Sequence, residues 1–294
     1  MNSNNFANNV SNSVAGASPI VKALVIVIGV VVIYYVYQYF FTSTTTMQVL
    51  FPEIRSTEDN NSKEFVADTS KLPPMYEGGE YTLSAWVYVK NWSKNSGKNK
   101  HVMSIGACQP DPKATSGTFN TLTVYLGANT NDLHVRVHAI NDNSTTSGTT
   151  ATMNPHTMKC SDYTRIFSDM QVDGGILNQA TSCDVQNFDL QKWNLVTVAL
   201  NGRTCDVYLN GKLARSCVLP EFYKVPAAYS VFALGQSTYG GFMSNLLAAD
   251  YAMNPEEVYR LYMGGPTGYK SFWDTITSFF SADAMDKTFY PKMN

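Results

Sequence analysis

The feature that most constrains this chain is a predominantly apolar run from Ile20 to Phe41, IVKALVIVIGVVVIYYVYQYFF. At 1.5 Å rise per residue, roughly 20 apolar residues cross the hydrocarbon core of a bilayer. Lys22 and Gln38 are its strongly polar members, each near an end where a side chain reaches the interface. Tyr34, Tyr35, Tyr37 and Tyr39 gather at the C-terminal end, as amphipathic rings do at a membrane boundary. So uniform a run has no polar face to leave a globular core, which argues against a buried helix. A cleavable signal peptide is the closer rival. Against it, the run is long, ends in bulky aromatics, and lacks both a small-x-small cleavage pattern and a preceding basic cluster. The sequence therefore predicts a single-pass membrane protein whose residues 20–41 contact lipid.

Residues 1–19 form a polar tail too poor in apolar groups to fold alone. Lys22 and the amino terminus stand on that side, and Glu53, Arg55, Glu58 and Asp59 on the other. The positive-inside rule then favours a cytoplasmic N-terminus and a large domain outside or in a lumen. Residues 42–75 are Thr-rich, then acidic, and end near Pro73-Pro74, as a stalk with at most one short strand would.

Beyond the stalk, periodicity switches to two. In Tyr81–Lys90 (YTLSAWVYVK), Tyr81, Leu83, Ala85, Val87 and Val89 share one face, and Trp86 and Tyr88 lie on the other. His101–Gly106, Thr121–Leu126, Leu133–Ile140, Asn194–Leu200, Cys205–Leu209 and Lys212–Val218 read as further strands. Asn210-Gly211 is a hairpin turn, because both residues tolerate positive φ. A helix is expected over Asn254–Tyr262, capped by Asn254 with Pro255 in its first turn. Many short strands and few helices define an all-β sandwich or barrel.

The order of these segments carries a family resemblance. Tyr81-Thr-Leu-Ser-Ala-Trp-Val and His101-Val-Met-Ser-Ile-Gly come first, followed by Trp193-Asn-Leu-Val-Thr-Val-Ala-Leu and Cys205-Asp-Val-Tyr-Leu-Asn-Gly-Lys-Leu. Gly241-Phe-Met-Ser-Asn-Leu and Asn254-Pro-Glu-Glu-Val-Tyr-Arg-Leu-Tyr262 close the series. Over residues 76–265 the chain resembles a laminin-G-like, concanavalin-A-like jelly roll. The resemblance implies a two-sheet antiparallel sandwich used for binding glycans or proteins, or for structural docking. Some such domains hydrolyse glycosides or bind calcium; calcium enters here through the resemblance alone. Where related strands often carry an acid after the glycine, this chain has Met243-Ser244-Asn245.

The chemistry-bearing patterns point away from catalysis. Glycosidases need two carboxylates flanking the scissile bond, and no E-x-D-x-E alternation occurs. Glu256-Glu257 are neighbours on the expected helix and face different directions. Gly235-Gln-Ser-Thr-Tyr-Gly240 misses the nucleophile-elbow spacing by one residue and has no helical pattern after it. Metalloprotease, paired C-x-x-C and P-loop motifs are missing, and no metal site is expected. With 15 % charged residues and a formal net charge of −2, no basic stripe exists for nucleic acid.

Binding candidates remain. Alternation puts His134, Arg136 and His138 on one strand face, either a solvated surface or a ligand-contacting one. Tyr269, Phe272, Trp273, Ile276, Phe279 and Phe280 recur at i, i+3, i+4 spacing, an aromatic helical stripe within the C-terminal tail 266–294. That stripe would pack on its own sandwich, dock a partner or lie on a membrane surface. With a three-residue hairpin loop, Cys205 falls opposite Cys217; with two residues the pair is diagonal. In an oxidising compartment Cys205–Cys217 is the first disulfide candidate and Cys160–Cys183 the second. Asn60, Asn91 and Asn143 begin N-glycosylation triplets.

The function these features predict is a non-enzymatic, membrane-anchored sandwich that binds or assembles. The versions to separate are a structural module, such as a minor capsid protein in the virion membrane of a large DNA virus, and a lectin-like surface protein that binds glycans.

Overall fold

The computed structural model describes residues 18–41, 46–58, 64–108, 118–140, 156–157, 160, 166–167, 183–235 and 237–267. They fall into two units that divide between Thr45 and Thr46.

The first unit contains helix α1, Pro19–Phe41. Its 23 residues span about 34 Å at the helical rise, enough to cross a hydrocarbon core. Ile20, Leu24, Ile26, Ile28 and Ile33 are all exposed along it.

The second unit is the expected two-sheet antiparallel sandwich. Its strands are β1 (Met47–Phe51), β2 (Arg55–Ser56), β3 (Phe65–Val66), β4 (Glu80–Asn91), β5 (Lys100–Gly106) and β6 (Asn120–Leu126), followed by β7 (Leu133–Val137), β8 (Trp193–Asn201), β9 (Thr204–Leu209), β10 (Lys212–Val218), β11 (Ser230–Ala233) and β12 (Gly240–Ala249). A seven-stranded sheet runs β1-β12-β4-β8-β9-β10, with β2 also on β12; a five-stranded sheet runs β3-β11-β5-β6-β7. Between them lies one apolar core, to which β4 gives Tyr81, Leu83, Ala85, Val87 and Val89, the face its alternation predicts. Val196, Val198, Leu200 and Val207 face it from β8 and β9, and Val124, Leu126, Val135 and Val137 from β6 and β7.

The stalk expectation is corrected in part. Residues 47–66 contribute β1 and β2 to the edge of the larger sheet and β3 to the smaller one. Phe51 is fully buried, and Arg55 lies over its ring at 4.5 Å. β2 and β3, of two residues each, carry almost no periodic signal, and β1 is a single five-residue strand, which is why composition alone reads this stretch as linker.

The Asn210-Gly211 turn forms as predicted, with φ of 53° and 78°, and Lys212 pairs with Leu209 across a two-residue loop. A bulge between Leu213 and Arg215 then shifts the register by one and brings Cys217 opposite Cys205. A bulge adds one residue to one strand, so the direct pairing arises without the three-residue loop.

Helix α2 (Pro255–Gly264) has the predicted Asn254 cap. Glu257 closes a capping box: its N–H donates to Asn254 Oδ1, and its carboxylate accepts from the Asn254 N–H, both at 2.9 Å. Glu256 pairs with Arg260 at the surface. Val258 seats the helix on the outer side of the seven-stranded sheet, against Ala199, Tyr208, Leu247 and Ala249.

Candidate functional site: the two outer faces of the sandwich

Each sheet has an inner face on the shared core and an outer face available for function. On the five-stranded sheet the outer face is polar. Alternation along β7 turns His134, Arg136 and His138 outward, and register places Tyr125 opposite His134 and Thr123 opposite Arg136. The three candidates are not on a solvated surface: Arg136 is 1 % exposed, His138 6 % and His134 8 %. Asp184 accounts for two of them. Its carboxylate takes a two-pronged contact from the Arg136 guanidinium, with Nη2 at 3.1 Å from Oδ2, and His134 Nδ1 lies 3.0 Å from the same oxygen. Burial works to raise the Asp184 pKa, yet the His134 and Arg136 hydrogen bonds and the Arg136 charge outweigh it and hold the carboxyl well below the usual range. His138 stacks on Phe119 at 4.0 Å, and the Arg136 guanidinium lies 5.6 Å from the centre of the Tyr125 ring.

The layer continues across the sheet. His101, fully buried, shares a 3.0 Å hydrogen bond with Ser104 Oγ and meets Phe167 edge-on. Burial pushes its imidazole pKa down to about 3, so it is neutral at physiological pH. The Asn120 side chain accepts from the Cys108 N–H at 2.7 Å and donates to the Cys108 carbonyl at 3.0 Å. Ile166 and Phe167, both buried, contribute to this covering from the long β7–β8 connection. What alternation presents as a ligand face is thus an interior polar layer with internal partners. Asp184 lies 48 residues beyond Arg136, and no local signal in the sequence links them.

The outer face of the seven-stranded sheet is aromatic. Tyr88 of β4 pairs with Trp193 of β8 on one side and Phe242 of β12 on the other. Ring centroids are 5.5 Å apart for Tyr88–Trp193 and 6.1 Å for Tyr88–Phe242, within the range for favourable aromatic pairs. All three are half-buried. The next row along the strands is Leu195–Trp86–Ser244; there Tyr262 of α2 stacks on Trp86 at 5.7 Å. Close approach is built into the first row, because a Cβ on Gly241 would stand 2.0 Å from the Tyr88 carbonyl oxygen. Sequence reading puts Trp86 and Tyr88 on one face; that Trp193 and Phe242 join Tyr88 follows only from strand register.

The disulfides differ from both expected pairs. Cys108 bonds to Cys160, and Cys183 to Cys217. Cys205 stands opposite Cys217 but is a buried free thiol, its pKa pushed up to about 12 by burial. Cys183 immediately precedes Asp184, so its bond ties the segment that neutralises Arg136 to β10 of the other sheet.

Tyr269, Phe272, Trp273, Ile276, Phe279 and Phe280 lie outside the described residues, as do Asn60 and Asn143. Asn91 ends β4, and its side chain accepts from the Ser93 N–H at 2.8 Å. Among the described residues, no group of His, Cys, Asp and Glu could hold a metal ion.

A scan against known protein families finds no match, and neither does a search of curated proteins. Solved structures give remote matches. The botulinum neurotoxin serotype G binding domain aligns with TM-score 0.42 and 13 % identity, over 80 % of this chain and 50 % of its own. The serotype D ligand-binding domain, in complex with N-acetylneuraminic acid, gives 0.41 and 13 %, over 72 % of this chain and 46 % of its own. Trypanosoma rangeli sialidase with the inhibitor DANA gives 0.37 and 12 %, over 63 % and 23 %. This chain spans half or less of each, and at such scores nothing about ligand or activity transfers to it.

Proposed function

We propose that the protein is a membrane-anchored, non-enzymatic binding or assembly module that meets its partner through the outer aromatic face of its seven-stranded sheet. The Trp193–Tyr88–Phe242 row carries this reading. Three aligned aromatics bring large, rigid contact area at low entropic cost, and aromatics dominate the energetic centres of protein interfaces. Around the neighbouring helix α2, exposed Tyr259, Met263 and Leu213 extend the apolar surface.

Helix α1 supplies the tether. Two disulfides favour an oxidising compartment for the sandwich, which agrees with a cytoplasmic N-terminus and an outer or lumenal domain. The polar face candidates His134 and Arg136 serve structure, holding the Asp184 segment in place. A shell or membrane-associated protein is the favoured partner; a glycan, stacking its C–H faces on the same rings, is the competing ligand.

The test uses the full chain in detergent, captured from its native membrane together with whatever it holds. Wild type should retain protein partners that the double variant Tyr88→Ser/Trp193→Ser loses. Retention of the same partners by the double variant would remove the aromatic row from the reading, and recovery of glycans alone would replace assembly by a lectin role.

A further inference from the structure

We infer that Asn91 is an N-glycosylation site, the acceptor for an oligosaccharide delivered from a polyisoprenyl diphosphate. The inference rests on the outer or lumenal placement of the sandwich in the preceding reading and makes no use of the aromatic row.

An irregularity in the β4 ladder carries it. Strict alternation after the buried Val87 and Val89 would turn Asn91 inward. Instead β4 holds one extra residue against β12 at this point: Gly241 pairs with Val89 and Gly240 with Asn91. Such a bulge resets the alternation. Asn91 and Ser93 are both exposed, while Trp92 between them is half-buried against the apolar core, with Lys100 Nζ 4.2 Å from the centre of its ring. The Asn-Trp-Ser triplet is thus anchored by its middle residue and presents the other two to solvent, as an N-x-S acceptor requires.

The surroundings of Asn91 leave room for a glycan. The last β4–β8 pair is Tyr88–Trp193, so Asn91 has no paired residue on that side. Its partner on β12 is Gly240, where a Cβ would stand 3.3 Å from the Asn91 Cβ. No cross-strand side chain therefore stands over it.

Local geometry suits the chemistry as well. Asn91 Oδ1 accepts from the Ser93 N–H at 2.8 Å, a side-chain turn that ties down the oxygen and leaves Nδ2 as the reactive end. In the transfer, Nδ2 forms a bond to C1 of the donor sugar and the C1–O bond to the diphosphate breaks. The lipid diphosphate leaves with the electron pair, and Nδ2 gives up one proton to the transferase.

The test translates the full chain into endoplasmic-reticulum microsomes with Asn9→Gln, Asn60→Gln and Asn143→Gln, which leaves Asn91 as the one Asn-x-Ser/Thr triplet. A mass shift of one glycan, removed by endoglycosidase, is expected. Asn91→Gln and Ser93→Ala should each abolish the shift, and Ser93→Thr should keep it. Because the bond to Asn91 Oδ1 uses the Ser93 backbone, Ser93→Ala removes the hydroxyl and leaves the turn. Protease added to intact microsomes reports the side on which the sandwich lies. A protected sandwich without a glycan would overturn this inference and leave the membrane topology standing. Digestion of an unglycosylated sandwich would overturn both. A shift that survives Ser93→Ala would mean attachment at another residue and would overturn the inference too.

Discussion

The two outer faces of the sandwich invert what their sequences advertise. His134, Arg136 and His138 on the five-stranded sheet look like groups offered to solvent, yet they are buried. On the seven-stranded sheet Tyr88, Trp193 and Phe242 look like core material, yet they lie on an outer face and stay half-buried. Residue type sets what a face costs to bury; which segment folds over it decides whether it is buried. A charged face can be closed only if the covering segment brings a counter-charge, as Asp184 does, because an unpaired buried ion costs several kcal/mol.

That comparison breaks most readily at the Cys183–Cys217 bond, which holds the Asp184 segment to the opposite sheet. Replacing both cysteines with Ser releases a loop of 34 residues' separation, and loop entropy sets the expected loss of stability at about 4 kcal/mol. Urea unfolding of the full chain in detergent measures it. A loss below 1 kcal/mol would mean that the segment is held without its staple.

Next in size is Asp184→Ala, expected to cost about 3 kcal/mol, because it strands the buried Arg136 guanidinium. The double change Arg136→Met/Asp184→Leu should recover most of that loss. If the single and double variants unfold alike, the pair does not govern this face.

Acid should distinguish the faces as well. The folded-state pKa of His101 lies near 3, below its unfolded value, so the unfolded chain binds the extra proton first. Stability from this group is complete above about pH 6.5 and falls by up to about 1.4 kcal/mol per unit as pH drops towards 3. The depressed Asp184 carboxyl acts in the same direction at lower pH: its contribution holds above the unfolded value near 4 and is lost below it. His101→Gln should flatten the melting-temperature profile between pH 6.5 and 4. An unaltered slope would place the acid sensitivity elsewhere.

The smallest effect on stability belongs to the aromatic face. Tyr88→Ser or Trp193→Ser should cost about 1 kcal/mol, the scale of an aromatic pair beyond its area, while partner capture falls steeply. A loss as large as that of Asp184→Ala would show the row to be core rather than contact surface.

Much of this was legible in the sequence. Uniform apolarity marks α1, strict alternation marks β4, Asn210-Gly211 marks the β9–β10 turn, and Asn254-Pro255 marks the start of α2. Each signal is complete within a few residues, because helix and strand periods and the need for positive φ are local properties of the backbone. The binding candidates were legible only as residue types. The Leu213–Arg215 bulge set the Cys205–Cys217 register, and the arrival of Cys183 took Cys217 for another bond. The short strands β1 to β3 became visible only as partners of β11 and β12.

By itself, then, the sequence determined that an apolar helix precedes an antiparallel sandwich, and which side chains alternate on each strand. The tertiary structure decided which outer face is closed, which cysteines pair and which aromatics form a row. Those outcomes depend on segments tens of residues apart meeting in one register, and the free energy that selects among them comes from burial and charge pairing across the sheets rather than from any local pattern.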